Sequence, residues 1–150
     1  VVHARSGGIW GLGYTYADVA TAKLIETKLA PLVRGLDAMS PPAVWRRMVA
    51  AIRNLGRPGI CSMAIAAVDV ALWDLKARLL EQPLCRLLGA VRESVPIYGS
   101  GGFTNYDDQR LQEQLSDWVG RGIPRVKMKV GSGLRVTRAR APRAFPQFPE

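Results

Sequence analysis

Two short β-type runs separated by a single amphipathic helix limit the fold of this chain more than any other feature. The runs are "SVPIYGSGGF" and "RVKMKVG", the latter from Arg125 to Gly131. Between them lies "DDQRLQEQLSDWVGRG", with Leu111, Leu115 and Trp118/Val119 on one inward stripe at helical spacing. Strand, helix, strand is the βαβ crossover, in which one helix carries the chain back to the start of a parallel neighbour.

Within the second run, Lys127 and Lys129 sit two residues apart, so in a strand they project to one face while Val126, Met128 and Val130 face the other. One reading is an exposed strand face with solvated lysines. The other follows from the crossover. Helices cover the outer faces of parallel strands, so the apolar residues should meet the helix and the lysines should point into a sheet or barrel interior. There, like-charge repulsion and desolvation both favour the neutral amine on at least one lysine, and a neutral amine is a general base.

Upstream of Ser94 the pattern differs. "VVHARSGGIWGLGYTY" alternates apolar and polar residues around Ser6, Gly7 and Gly8, which predicts a hairpin. "ADVATAKLIETKLAPLV" places Ala22, Ile25, Leu29 and Leu32/Val33 on one helical stripe, with Asp18 as cap. "SPPAVWRRMVAAIRN" predicts a second helix with Ser40 as N-cap, Pro41 at its first position, and Trp45, Met48 and Ile52 inward. A third, central helix is predicted from about Ile60 to Glu81, with Ile65, Val68, Leu72, Leu75 and Leu79 buried and alanines between them for close packing of neighbouring helices. Asp74 and Arg78 should pair on its exposed side, and Pro83 should restart a short helix that Gly89 ends. These shifts divide the chain into residues 1–93, 94–131 and 132–150.

The last segment, "SGLRVTRARAPRAFPQFPE", has no helical or strand period. Its four arginines against one glutamate supply part of the net charge of +9, and it is expected to be a basic irregular tail. Basic character by itself speaks to solubility and non-specific association, so no specific nucleic-acid partner is expected. Cys61 and Cys85 stand alone, without metal-ligand spacing or a disulfide framework, which fits a cytoplasmic protein. The longest apolar stretch is interrupted by Asp69 and Asp74, so no membrane span is expected. Because the first residue is Val1, the N-terminus is expected to be missing.

The chain from Val1 to Gly131 resembles the mandelate racemase and muconate-lactonising branch of the enolase superfamily, and mandelate racemase-type members most of all. The resemblance is carried by "GLGYTY", "SMAIAAVDVALWDLKAR", "PLCRLLGA", "VPIYGSGGF" and "VKMKVG", in that order and spacing. It implies an α+β capping domain at 1–93, lacking its first strand, followed at 94–131 by the first two strands of a (β/α) TIM-type barrel. On this resemblance Lys129 takes the proton α to a substrate carboxylate, and Lys127 assists electrostatically and contacts that carboxylate. Mg²⁺ stabilises the enediolate in such sites. Reprotonation gives racemisation or epimerisation, and loss of a β-hydroxyl gives dehydration, of a hydroxy acid or acid sugar. Homo-oligomers are common in the family.

The family's metal ligands, an Asp and two Glu, come from the third to fifth barrel strands, so they are absent from this chain. A closed barrel takes about 250 residues. The chain alone is therefore expected to be inactive, with exposed barrel edges that promote association. The alternative is a non-catalytic truncated product whose tail binds polyanions non-specifically. The tail also departs from the helix that family members place after the lysine strand, which leads to the expectation of a frameshift near Ser132.

Among other candidates, Tyr14 and Tyr16 either line the cap side of the substrate site or pack internally. Ser100, with Gly101 and Gly102, ends the first barrel strand, where active-site loops arise and where a tight turn would serve equally. His3 has no base or orienting partner in sequence. Asp69 is expected to be a helix-packing or hydrogen-bonded residue and Asp74 a surface charge.

Overall fold

The computed structural model describes residues 1–130; the tail, with the polyanion binding and frameshift expected of it, lies outside them. The chain forms two compact units, one from Val1 to Val91 and one beginning at Arg92.

The first unit opens with the expected hairpin. β1 (Val2–Ser6) pairs antiparallel with β2 (Ile9–Gly13), in a register running from Val2 opposite Gly13 to Ser6 opposite Ile9. Helices α1 (Val19–Leu24), α2 (Ala30–Val33), α3 (Pro41–Ala51), α4 (Ile60–Leu79) and α5 (Leu84–Leu87) follow. Leu29, Val44, Met48, Ile52, Ala64, Ile65, Val68 and Leu72 form one buried cluster, with Val2 and Ala4 of the hairpin packed against it. Burial of each large side chain contributes about 1.5–3 kcal/mol.

The alanines of α4 admit a helix, as expected, with Ala64 in one buried cluster with Val44 and Met48 of α3, and they also admit a strand. Gly11 and Gly13 of β2 lie so close to α4 that a Cβ on Gly11 would stand 2.2 Å from the Ala71 carbonyl oxygen, and one on Gly13 would stand 2.0 Å from that of Ala67. Ala67 and Ala71 are fully buried beneath them. Small residues on both elements let the two backbones touch, and Asp74 reinforces the contact. Its Oδ2 accepts from the Leu12 N–H and from Arg78 Nε, each at 2.8 Å. Asp74 is thus more than the surface charge expected of it: it ties the hairpin to the helix.

Two local readings change for physical reasons. A π turn, Ile25–Leu29, separates α1 from α2. It holds more residues per revolution than an α turn, so the stripe read at α-helical spacing loses phase across it. Upstream, Thr21 is buried and Ala22 exposed. Asp18 does cap α1, accepting from the Ala20 N–H. Ser40 holds the N-cap position of α3, but its hydroxyl donates to Asp37 Oδ2 at 2.8 Å instead. Pro41 and Pro42 occupy the first turn and have no N–H to offer. The Met39 N–H, then the Ser40 hydroxyl, hold the Asp37 carboxyl below its ordinary range.

The Thr21 hydroxyl is buried and has no hydrogen-bond partner among the described residues. A buried polar atom without a partner costs about 1–3 kcal/mol, and valine has nearly the same shape. Thr21→Val is expected to stabilise the chain by about 1 kcal/mol, read as a higher urea midpoint at unchanged slope. A lower midpoint would mean that water satisfies the hydroxyl.

The second unit holds β3 (Gly99–Gly101), α6 (Asp108–Gly120) and β4 (Val126–Met128). β3 and β4 are parallel, as a crossover requires. The first run is strand only at Gly99–Gly101; Val95, Ile97 and Tyr98 are exposed and outside the ladder. Asp107 caps α6 by accepting from the Arg110 N–H at 2.8 Å. Leu111 and Leu115 are buried against Trp118, Val126 and Met128.

Candidate active site

The ladder places Gly99 opposite Val126, Ser100 opposite Lys127 and Gly101 opposite Met128. Alternation then sorts the side chains. Val126 and Met128 pack on α6, while Lys127 takes the other face beside Ser100. Lys129 follows just past the end of β4, held by its own N–H donating to the Gly102 carbonyl at 2.9 Å. Thus the apolar side meets the helix, and the lysine side is the face away from it. The desolvation expected there is not supplied by the described residues: Lys127, Lys129 and Ser100 are all exposed.

The glycines around Ser100 are explained by α6. A Cβ on Gly99 would stand 2.3 Å from the Trp118 ring, and one on Gly101 would stand 2.3 Å from Gln114 Oε1. The helix lies directly on β3, and only Ser100, pointing the other way, has room for a side chain. Gly102 has φ +58° and donates its N–H to Gln114 Oε1 at 2.8 Å. Gln114 went unnoticed in the sequence, although a polar residue on the inward stripe between Leu111 and Trp118 was the available signal.

Tyr14 and Tyr16 belong to the first unit and are 69% and 99% exposed, so internal packing does not account for them. His3 meets Trp10 edge-on at 6.0 Å, with the Arg5 guanidinium 5.0 Å from the same ring. Asp69 is half-buried on α4, and loss of solvent pushes its carboxyl above the ordinary range. A groove of about 520 Å³ runs along β1 in the first unit and is lined by none of the expected site residues.

Among the described residues no three His, Cys, Asp or Glu side chains gather where they could hold a metal ion. Cys61 is buried and Cys85 exposed, both as free thiols. No helix of the described residues is long and apolar enough to cross a membrane.

Comparison with known proteins bears on this arrangement. Residues 1–89 match the model of the mandelate racemase/muconate lactonizing enzyme N-terminal domain. The chain is 35% identical over 130 residues to the 3,6-anhydro-alpha-L-galactonate cycloisomerase of Streptomyces coelicolor, covering 84% of this chain and 36% of that protein. It is 33% identical over 128 residues to the L-talarate/galactarate dehydratase of Salmonella typhimurium, covering 83% of this chain and 32% of that protein. The structure of that dehydratase, liganded with Mg and L-lyxarohydroxamate, superposes with a TM-score of 0.71 over 91% of this chain and 35% of its own, at 29% identity. A mandelate racemase/muconate lactonizing enzyme-like protein from Rubrobacter xylanophilus superposes with a TM-score of 0.85 at 58% identity, covering 95% of this chain and 40% of its own. The chain thus spans about a third of the length of these curated relatives. With its α+β capping fold leading into a parallel β–α–β unit, this chain belongs to the mandelate racemase/muconate lactonizing enzyme family of the enolase superfamily.

Proposed function

We propose that this chain carries the proton-abstracting half of an active site that acts on a small hydroxy-carboxylate or acid sugar. The supporting observation is the ladder register: Lys127 stands beside Ser100 on the face away from α6, and Lys129 follows at the carboxyl end of the same strand. Side chains at that end of a parallel strand are where barrels of this kind collect their chemistry.

In this reading the Lys129 side-chain nitrogen accepts the proton α to the substrate carboxylate. The C–H bonding pair moves into the carboxylate to form an enediolate, and the amine becomes an ammonium. Lys127 contacts the carboxylate, and its positive charge favours the electron-rich product of that step. Return of a proton to the opposite face of the carbon gives the epimer; departure of a β-hydroxyl gives the dehydrated acid. Ser100 lines the site next to Lys127, and Tyr14 and Tyr16 are assigned to substrate binding in the whole protein. Relatives named for a cycloisomerase and a dehydratase of sugar acids support that substrate class. Mg²⁺ belongs to the whole family enzyme, but its ligands are not among the described residues, and the isolated chain is assigned no turnover. The reading carries a cytoplasmic location and a homo-oligomeric whole protein.

The test is a chimera in which residues 1–130 replace the matching part of the Rubrobacter xylanophilus protein, which is similar enough to supply the remaining contacts. Exchange of the α proton of galactarate, talarate and related sugar acids in D₂O is followed by NMR with Mg²⁺ present. Exchange by the chimera, on an acid that the unaltered protein also exchanges, is the expected result. A folded chimera without exchange would remove the reading.

A further inference from the structure

Helix α6 does more than cover the apolar side of the two strands. Gln114 lies on its inward stripe, where burial would favour an apolar residue, and its Oε1 accepts the Gly102 N–H at 2.8 Å. The Gly102 carbonyl in turn accepts the Lys129 N–H at 2.9 Å. The two peptide groups that flank the Gly102 Cα are therefore both held, one by the helix and the other by the lysine backbone. The Gly102 φ of +58° suits glycine, and a Cβ there would stand 2.7 Å from Met128 Cβ, so no other residue fits the position undisturbed.

We propose that Gln114 is a positioning residue for Lys129: through Gly102, its amide oxygen fixes the backbone at the point where Lys129 leaves strand β4. This inference rests on the assignment of Lys129 as the base. The physical reason for such a device is the position of Lys129 itself. It lies one residue past the last rung of a three-residue strand, where a backbone normally frays, and the long flexible side chain amplifies any rotation at its root. A misplacement of about 1 Å at a reacting group costs on the order of a hundredfold in rate.

The experiment uses the full 150-residue chain and amide hydrogen exchange by NMR. Gln114→Leu keeps the volume and removes the acceptor; Gln114→Asn keeps the polarity but falls one methylene short of Gly102; Gln114→Glu keeps both reach and acceptor. Leu and Asn are expected to speed exchange at Gly102 and Lys129 about tenfold, as loss of one hydrogen bond predicts, while Leu111 and Leu115 stay protected. Glu is expected to restore protection. Unchanged exchange at Lys129, or equal acceleration at Leu111 and Leu115, would overturn the proposal, since the glutamine would then serve no purpose at Lys129 or only general stability. Failure of the base assignment shows separately, as α-proton exchange that survives Lys129→Ala in the chimera.

Discussion

Lys129→Ala in the chimera is expected to lower α-proton exchange by about a thousandfold, the range lost when a general base is removed. Alanine keeps the backbone N–H that bonds to Gly102, so the strand end is preserved and the loss falls on chemistry. The substrate should still bind, because the carboxylate contact is assigned to Lys127. Lys127→Ala is expected to behave differently, with weaker binding and a smaller loss of rate, since it removes a charge and not the proton acceptor. The comparison is made by measuring exchange against substrate concentration for both variants. Equal effects of the two substitutions on rate and on half-saturation would contradict the division of roles, and unchanged exchange in Lys129→Ala would remove it as the base.

Gly13→Ala is expected to destabilise the first unit by about 3 kcal/mol, the upper end of what inserting one methyl into a packed interior costs. The added Cβ would stand 2.0 Å from the Ala67 carbonyl oxygen and 2.6 Å from the Ala71 N. Both are main-chain atoms of α4, so no side chain can swing aside, and β2 must lift off the helix. That movement also pulls the Leu12 N–H from Asp74. Gly11→Ala meets the Ala71 oxygen and the Leu75 N in the same way. Urea unfolding followed by tryptophan fluorescence measures the loss, with Trp10 on the hairpin as a local reporter. A cost below about 1 kcal/mol would show that the hairpin has room to shift.

Much of this architecture was legible in the sequence, because hydrophobic period is a local property. Leu111, Leu115 and Trp118 on α6, and Ile65, Val68, Leu72 and Leu75 on α4, announced their buried faces by spacing alone. Asp18 and Pro41 marked helix starts for reasons that involve only their nearest neighbours. The place of Lys127 was legible too, since strand alternation sets it opposite Val126 and Met128, whereas Lys129 falls past the end of the strand. Where these helix readings changed, a local departure from the regular helical pattern had intervened. The π turn at Ile25–Leu29 shifted the phase of a stripe, and the Ser40 hydroxyl turned to Asp37 Oδ2 while the first N–H after the two prolines, that of Ala43, went to the Ser40 carbonyl.

The sequence by itself determined the order of strands and helices, which side of α4 and of α6 is apolar, and that Lys127 takes the strand face opposite Val126 and Met128. All of these follow from backbone geometry repeating over a few residues. Only the tertiary structure decided what meets what. Gly11 and Gly13 are glycines because α4 lies against them; Gly99 and Gly101 because Trp118 and Gln114 lie against β3; and Asp74 is a fastener because Leu12, far away in sequence, presents an N–H to it. A glycine or a carboxylate says nothing in sequence about the distant atom that approaches it, because steric exclusion and hydrogen bonding act only at contact.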